Sequence, residues 1–458
     1  MHGAGWSGWI LKRSRIGRGG LRADLGSNQR NAGGRRRPAF ARGATDVFHK
    51  TDRLGWVEVR PRWRQRWGTP LMGFKTGRLT FMRYQVTGDS PLPFGTEQLD
   101  RLESKRAGQI PPSTTKEGIS HGWAGGDHVL DLNFDLAKNV LGDALHAAVR
   151  IDTDKIPGSL LRAYTKMETD TRAKANPSGF PTKAQRQEAK EAALARAEAE
   201  AADGRFRRLK QFEILWDGTT NTLYAGSTSA AALDRLHVLF KDTFDRTLQA
   251  VTAGSLAVRL AERRGQTEAI GNLRPVGFLG ETAGYDMVAW TGGDPAGLDY
   301  QGNEFLIWLW HTLQTEGDIL TLADGSEVAV MMTKTLVLDC PRGETGRDAL
   351  TDEGPTRMPE AFRALQAGKL PRKAGLALIR HGVQYDLTLQ AETFAVSGLT
   401  LPKPEGLGGH DAHLARVESL RHAMETLDLL YDLYGRTRLE QDSWNNTIDK
   451  IRSWLTAA

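Results

Sequence analysis

Asp152 and Asp154 stand two residues apart with Lys155 beside the second, a carboxylate pair of the kind that a metal-dependent nuclease converges on its cation at a strand end. Glu188 and Lys190 add an acid–any–lysine triplet, and His410 and His413, three apart around Asp411 in a glycine-rich stretch, have a spacing open to metal ligation. Each set has a plainer reading. Glu188 and Lys190 fall in a charged helical segment where a surface ion pair suffices, and polar residues at a loop or helix start often produce the histidine spacing. The chain has no serine-nucleophile elbow, phosphate-binding loop, HExxH pair or GxGxxG placed between a strand and a helix. Neither enzyme activity nor a cofactor or resident metal is expected.

The stronger chemical signal is cationic. Residues 155–210 hold 13 basic side chains against 7 acidic ones. Lys183, Arg186 and Lys190 are spaced i, i+3, i+7, which puts them on one helix face. Arg205, Arg207, Arg208 and Lys210 then place four cations within six residues. Such a stripe can neutralise the phosphates of a nucleic acid without reading its bases. The alternative is also physical: cations just past a helix C-terminus complement its dipole, and mixed charge keeps an exposed helix in solution.

These cations need a scaffold. Residues 79–86 (LTFMRYQV) have the apolar and aromatic character of a strand, followed by a Gly/Pro turn at 88–95 and a short helix at 96–106. A second strand is predicted over 144–151, then a helix over 158–175 that Pro177 and Pro181 close off. Residues 183–204 contain nine alanines and one large apolar residue, Leu194. With little to bury, this helix must lean on intrinsic propensity, and it reads as a projecting, solvated rod of roughly 33 Å. Strands at 211–216 and 222–225 flank a hairpin-type loop, and a helix from 229 to 246 offers Leu233, Leu236, Leu239 and Phe240 to their sheet. Beyond a glycine-rich insert, 265–302, the all-apolar segment 305–310 predicts a buried helix, and hairpins at 323–325 and 381–382 predict a second sheet. Helices at 359–366 and from 412 to 454 close the chain. The expected class is α+β, with mixed or antiparallel sheets, helices packed on one side, a projecting charged arm and C-terminal helices. The expected organisation is a leader, 1–71; an N-terminal lobe, 72–255, with the arm at 157–204; and a C-terminal lobe, 256–458.

Composition narrows the class further. Of 458 residues, 40% are apolar and 25% charged, the balance of a chain that folds around a core. The strongest apolar run, 305–310, is far shorter than the ~20 residues that span a bilayer, so no membrane partner is expected. A single cysteine, Cys340, points to a reducing cytoplasm. The net charge of +6 divides unevenly: residues 1–71 hold 16 basic and 4 acidic side chains, and the rest hold 45 and 51. The basic leader, with 12 glycines and no apolar periodicity, reads as disordered. It is either an Arg/Gly-rich arm that binds nucleic acid or, the preferred reading, a stretch upstream of a start at Met72.

Taken in order, Phe74-Lys75 to Tyr84, Gly122-Trp123, Arg150-Ile151-Asp152, Trp216-Asp217, Gly226-Ser227-Thr228-Ser229 and Asp386 to Glu392 resemble the bacterial recombination-associated protein RdgC family, over nearly all of residues 72–458. The resemblance implies a nucleoid protein that binds double-stranded DNA without sequence preference and restrains RecA-driven strand exchange. It also implies a ring-shaped homodimer with a positively lined hole. It gives the charged arm a role in DNA contact, and it gives Phe206, one residue out of register from the family position before the Trp-Asp hairpin, a role in closing the ring. The chain departs from compact members in its length, in the 265–302 insert, in Ala124 where valine is common, and in its acidic body. A ring reconciles the last point with DNA binding, because only the inner wall must be positive and outer acids are screened beyond ~8–10 Å. Two readings from other classes compete: a metal-dependent nuclease using Asp152 and Asp154, and a scaffold on the same fold that does not bind DNA.

Overall fold

A computed structural model describes residues 73–115, 117–278, 297–341 and 346–457. The expectations placed on the leader, 1–71, and on the middle of the glycine-rich insert lie outside the described residues. The elements in chain order are β1 (Leu79–Val86), α1 (Thr96–Ser104), β2 (Ile119–Ala124), α2 (Leu136–Asn139), β3 (Val140–Leu141), β4 (Ala144–Asp154), α3 (Gly158–Lys174), α4 (Lys183–Ala202), β5 (Arg207–Asp217), β6 (Thr222–Ala225), α5 (Ala230–Phe244), β7 (Leu248–Ala250) and α6 (Ala253–Arg263). There follow α7 (Thr267–Gly271), α8 (Gln301–Thr315), β8 (Ile319–Thr321), β9 (Glu327–Asp339), β10 (Asp348–Asp352), α9 (Pro359–Gln366), β11 (Leu370–Arg380), β12 (Val383–Gln390), β13 (Val396–Thr400), α10 (Gly409–Leu439) and α11 (Gln441–Ala457). The fold is α+β and ends in helices.

One antiparallel sheet replaces the two expected from sequence. Its main path runs β10-β9-β11-β12-β13-β1-β6-β5-β4-β2, and β1 joins the halves. Leu79 and Phe81 pair with Leu399 and Val396 of β13, while Met82 to Gln85 pair with β6. Side chains alternate across a strand, so β1 serves two cores. Leu79 and Phe81 enter the larger one with Phe305, Leu376 and Leu427. Tyr84 and Val86 enter a second with Trp216 and Phe240. Helices therefore cover both faces at this joint, α1 and α5 on one and α6 and α10 on the other, where the sequence suggested a single side. The physical reason is that LTFMRYQV carries large apolar residues at both parities.

α8 is the centre of the larger core. Phe305 to Trp310 are all buried, and the Phe305 ring meets Tyr431 edge-on at 5.2 Å. The helix also buries Glu304, whose carboxylate accepts hydrogen bonds from Arg438 Nε at 2.7 Å and Tyr434 Oη at 3.2 Å. A buried charge is tolerable because its partners replace water.

The arm is a helical hairpin. α4 buries Ala189, Ala193 and Ala197, an i, i+4, i+8 stripe whose small side chains let α3 approach closely. Tyr164 on α3 donates to Glu200 at 2.7 Å, with the Arg196 guanidinium 4.2 Å over its ring. Arg172 reaches Glu188 at 3.7 Å. At the turn, Thr182 and Gln185 form a reciprocal capping box that satisfies orphan N–H groups. The expectation that the 183–204 helix has little to bury and leans on propensity is corrected: alanines that look solvated in sequence are the packing face.

Candidate nucleic-acid interface

The structure sorts the seven predicted DNA-contact cations into two patches. Lys183, Arg186 and Lys190 are exposed on the first half of α4, near the hairpin turn. Arg205 and the β5 residues Arg207, Arg208 and Lys210 lie at the other end of α4 and just beyond it. A rise of ~1.5 Å per residue sets the patches on the order of 30 Å apart. The contiguous stripe of the sequence is thus divided by the length of one straight helix. That separation is of the order of the ~34 Å of one B-DNA turn.

Ion pairing sorts the cations a second time. Arg207 gives Asp154 two hydrogen bonds, at 3.1 and 3.0 Å, and the pair raises the guanidinium pKa above its ordinary value. Arg205 contacts Glu200 at 3.5 Å from an exposed position, a weak pairing that water and salt screen. Lys183, Arg186, Lys190, Arg208 and Lys210 have no carboxylate partner among the described residues. On β5, Arg208 and Lys210 stand opposite Thr153 and Ile151 of β4 and share one sheet face. β6 pairs with β5 only over Ile214 to Asp217, so among the described residues the cationic start of β5 is bonded on its β4 side alone. Phe206 sits half-buried in the turn just before β5.

The residues considered for metal chemistry are committed elsewhere. Asp152 is buried and held by Arg150 Nε at 2.8 Å and Nη2 at 2.7 Å, while Asp154 is held by Arg207. Both carboxylates are thus neutralised by guanidinium forks from their own sheet. Glu188 reaches across the arm to Arg172, and Lys190 points to solvent. His410 Nδ1 lies 3.2 Å from the Ala137 carbonyl oxygen, and burial, reinforced by nearby Lys75, His146 and His410, pushes the His413 imidazole pKa down. Among the described residues no three His, Cys, Asp or Glu side chains gather as cation ligands. Nor, among them, is any helix long and apolar enough to cross a membrane.

Sequence reasoning missed a second concentration of cations. A cleft of about 600 Å³ opens between the β1–β6 ladder, α6 and α10, and Arg83, Arg259, Arg263, Arg264, Arg421 and Arg436 line it. Two signals were available: Arg83 is the one charged residue of the strand at 79–86, and charged residues recur at 421, 425, 428, 432 and 436 along α10. No protein-family model and no curated protein matches the chain.

Proposed function

We propose that this protein binds double-stranded DNA through its phosphates, without sequence preference, and modulates homologous recombination in the nucleoid as a ring-shaped homodimer that restrains RecA-driven strand exchange. The observation that carries the reading is the set of five cations, Lys183, Arg186, Lys190, Arg208 and Lys210, exposed and without a carboxylate partner among the described residues, on and beside a helical hairpin. Two patches about one duplex turn apart suit backbone contact, and no base-reading geometry is required. The resemblance to the RdgC family supplies the recombination context, the homodimer and the place of Phe206 at its gate. The nuclease alternative is weakened because Asp152 and Asp154 are both clasped by arginines.

Replacing all five free cations by alanine is the test. Duplex affinity in a gel-shift or anisotropy titration at about 50 mM salt should fall at least 100-fold on unrelated sequences alike, with an unchanged unfolding midpoint. Undiminished affinity in that variant would refute the assignment of these residues. Cross-linking and light scattering of the full chain test the dimer, and a persistently monomeric protein would remove the ring.

A further inference from the structure

The arginine-lined cleft is built differently from the arm. Its sheet wall comes from alternation on β1: Phe81 faces the core, and the next residues of that parity, Arg83 and Gln85, face the cleft opposite Tyr224 and Thr222 of β6. Its floor is apolar, with Val251, Leu256 and Met424 all buried. Above the floor, acids and guanidiniums do not balance. Asp428 is held by Arg83, which donates to its two oxygens at 2.9 and 2.8 Å, and two other lining carboxylates, Asp324 and Glu425, pair with Arg380. Asp432 is shared by Arg264 and Arg436. Arg259 donates to Gln85 Oε1 at 2.6 Å and meets no carboxylate at hydrogen-bond distance among the described residues. Arg263, one turn further along α6, is exposed and has no acidic partner among the described residues. The buried Nε atoms of Arg83 and Arg421 also lack hydrogen-bond partners, which is costly for charged donors.

We propose that this cleft binds a nucleotide-sized organic phosphate, its phosphate held by Arg259 and Arg263 and its organic part seated on the apolar floor. Guanidinium forks at i and i+4 on one helix face match phosphate geometry, and a cleft of about 600 Å³ has the size of a small-molecule site. Burial pulls the Arg259 pKa down, a strain that a bound anion relieves. The site is separate from the arm, so its occupancy does not depend on the DNA reading.

Calorimetric titration of the full chain with ATP, adenosine and inorganic phosphate tests the proposal. The expected result is saturable ATP binding, with adenosine and phosphate each weaker, and a loss of about tenfold or more in Arg259→Ala. Arg263→Ala, at an exposed position, should give a loss in the same direction with an unchanged unfolding midpoint, which guards against misfolding of the first variant. No saturable ATP binding up to ~1 mM, or unaltered affinity in both variants, would overturn it. A short duplex separates the two phosphate sources: if it displaces ATP competitively and is itself weakened tenfold by Arg259→Ala, the cleft takes backbone phosphate and the small-molecule assignment falls.

Discussion

Arg207 stands directly opposite Asp154 on the β4–β5 ladder and clasps both of its carboxylate oxygens. Arg208, the next residue, projects from the opposite sheet face across from Thr153 and pairs with no carboxylate among the described residues. Strand alternation thus divides adjacent arginines into one that ties the arm's exit strand to the sheet and one exposed on the other sheet face.

The two arginines should therefore fail in opposite ways when removed. Arg207→Ala is expected to cost about 1 kcal/mol of stability, the scale of a partly exposed charge-assisted pair, and to leave the salt slope of DNA binding unchanged. Arg208→Ala with Lys210→Ala should leave denaturant unfolding unchanged and flatten that slope by about 2 units. Paired unfolding curves and salt titrations check both halves.

The arm's packing predicts a steric effect. Ala193 is fully buried in the stripe against α3, so Ala193→Leu should force the hairpin apart at a cost of roughly 1–3 kcal/mol. Limited proteolysis should then cut within residues 158–202 faster than in the parent protein. Equal cutting rates would mean that the helices do not depend on close approach.

Glu304 and Arg438 form a buried pair at 2.7 Å, each side chain 5% exposed. Arg438→Ala leaves the Glu304 charge without its cation, and the expected loss is roughly 3–5 kcal/mol. Arg438→Ala combined with Glu304→Gln should recover part of it, as read by the denaturation midpoint.

Acid should loosen the loop that ends in α2. Asp131 is buried, which by itself would raise its pKa, yet hydrogen bonds from Lys138 and from the backbone N–H groups of Asp127 and Asn133 hold it below the ordinary value of 3.8. A carboxyl depressed in the folded state contributes stability that is complete above its unfolded pKa and is lost as pH falls through the folded one. The parent protein should thus lose more unfolding free energy between about pH 5 and pH 3 than Asp131→Asn does. Equal losses would remove Asp131 from the account.

What the sequence made legible was local. The strand at 79–86 and the buried segment 305–310 follow from their apolar and aromatic composition, the amphipathic helix carrying Leu236 and Phe240 from a period of 3.6, and each stands in the structure. What it hid depends on partners distant in the chain. The alanines of α4 look solvated until α3 lies beside them, and Asp154 looks like a metal ligand until register puts Arg207 opposite. The single sheet also had to be found by pairing, since β1 and β13 meet across more than 300 residues. For the same reason the cleft was invisible: Arg83, Arg259 and Arg421 converge only after folding.

The most direct measurement is equilibrium binding of the full chain to several duplexes of unrelated sequence across a salt series. Five free cations predict that log affinity falls linearly with log salt, at a slope near −4.5 per bound protomer, or about 500-fold between 50 and 200 mM, with nearly equal values for every sequence. A slope shallower than about −1, or one duplex strongly preferred over the rest, would contradict the central claim.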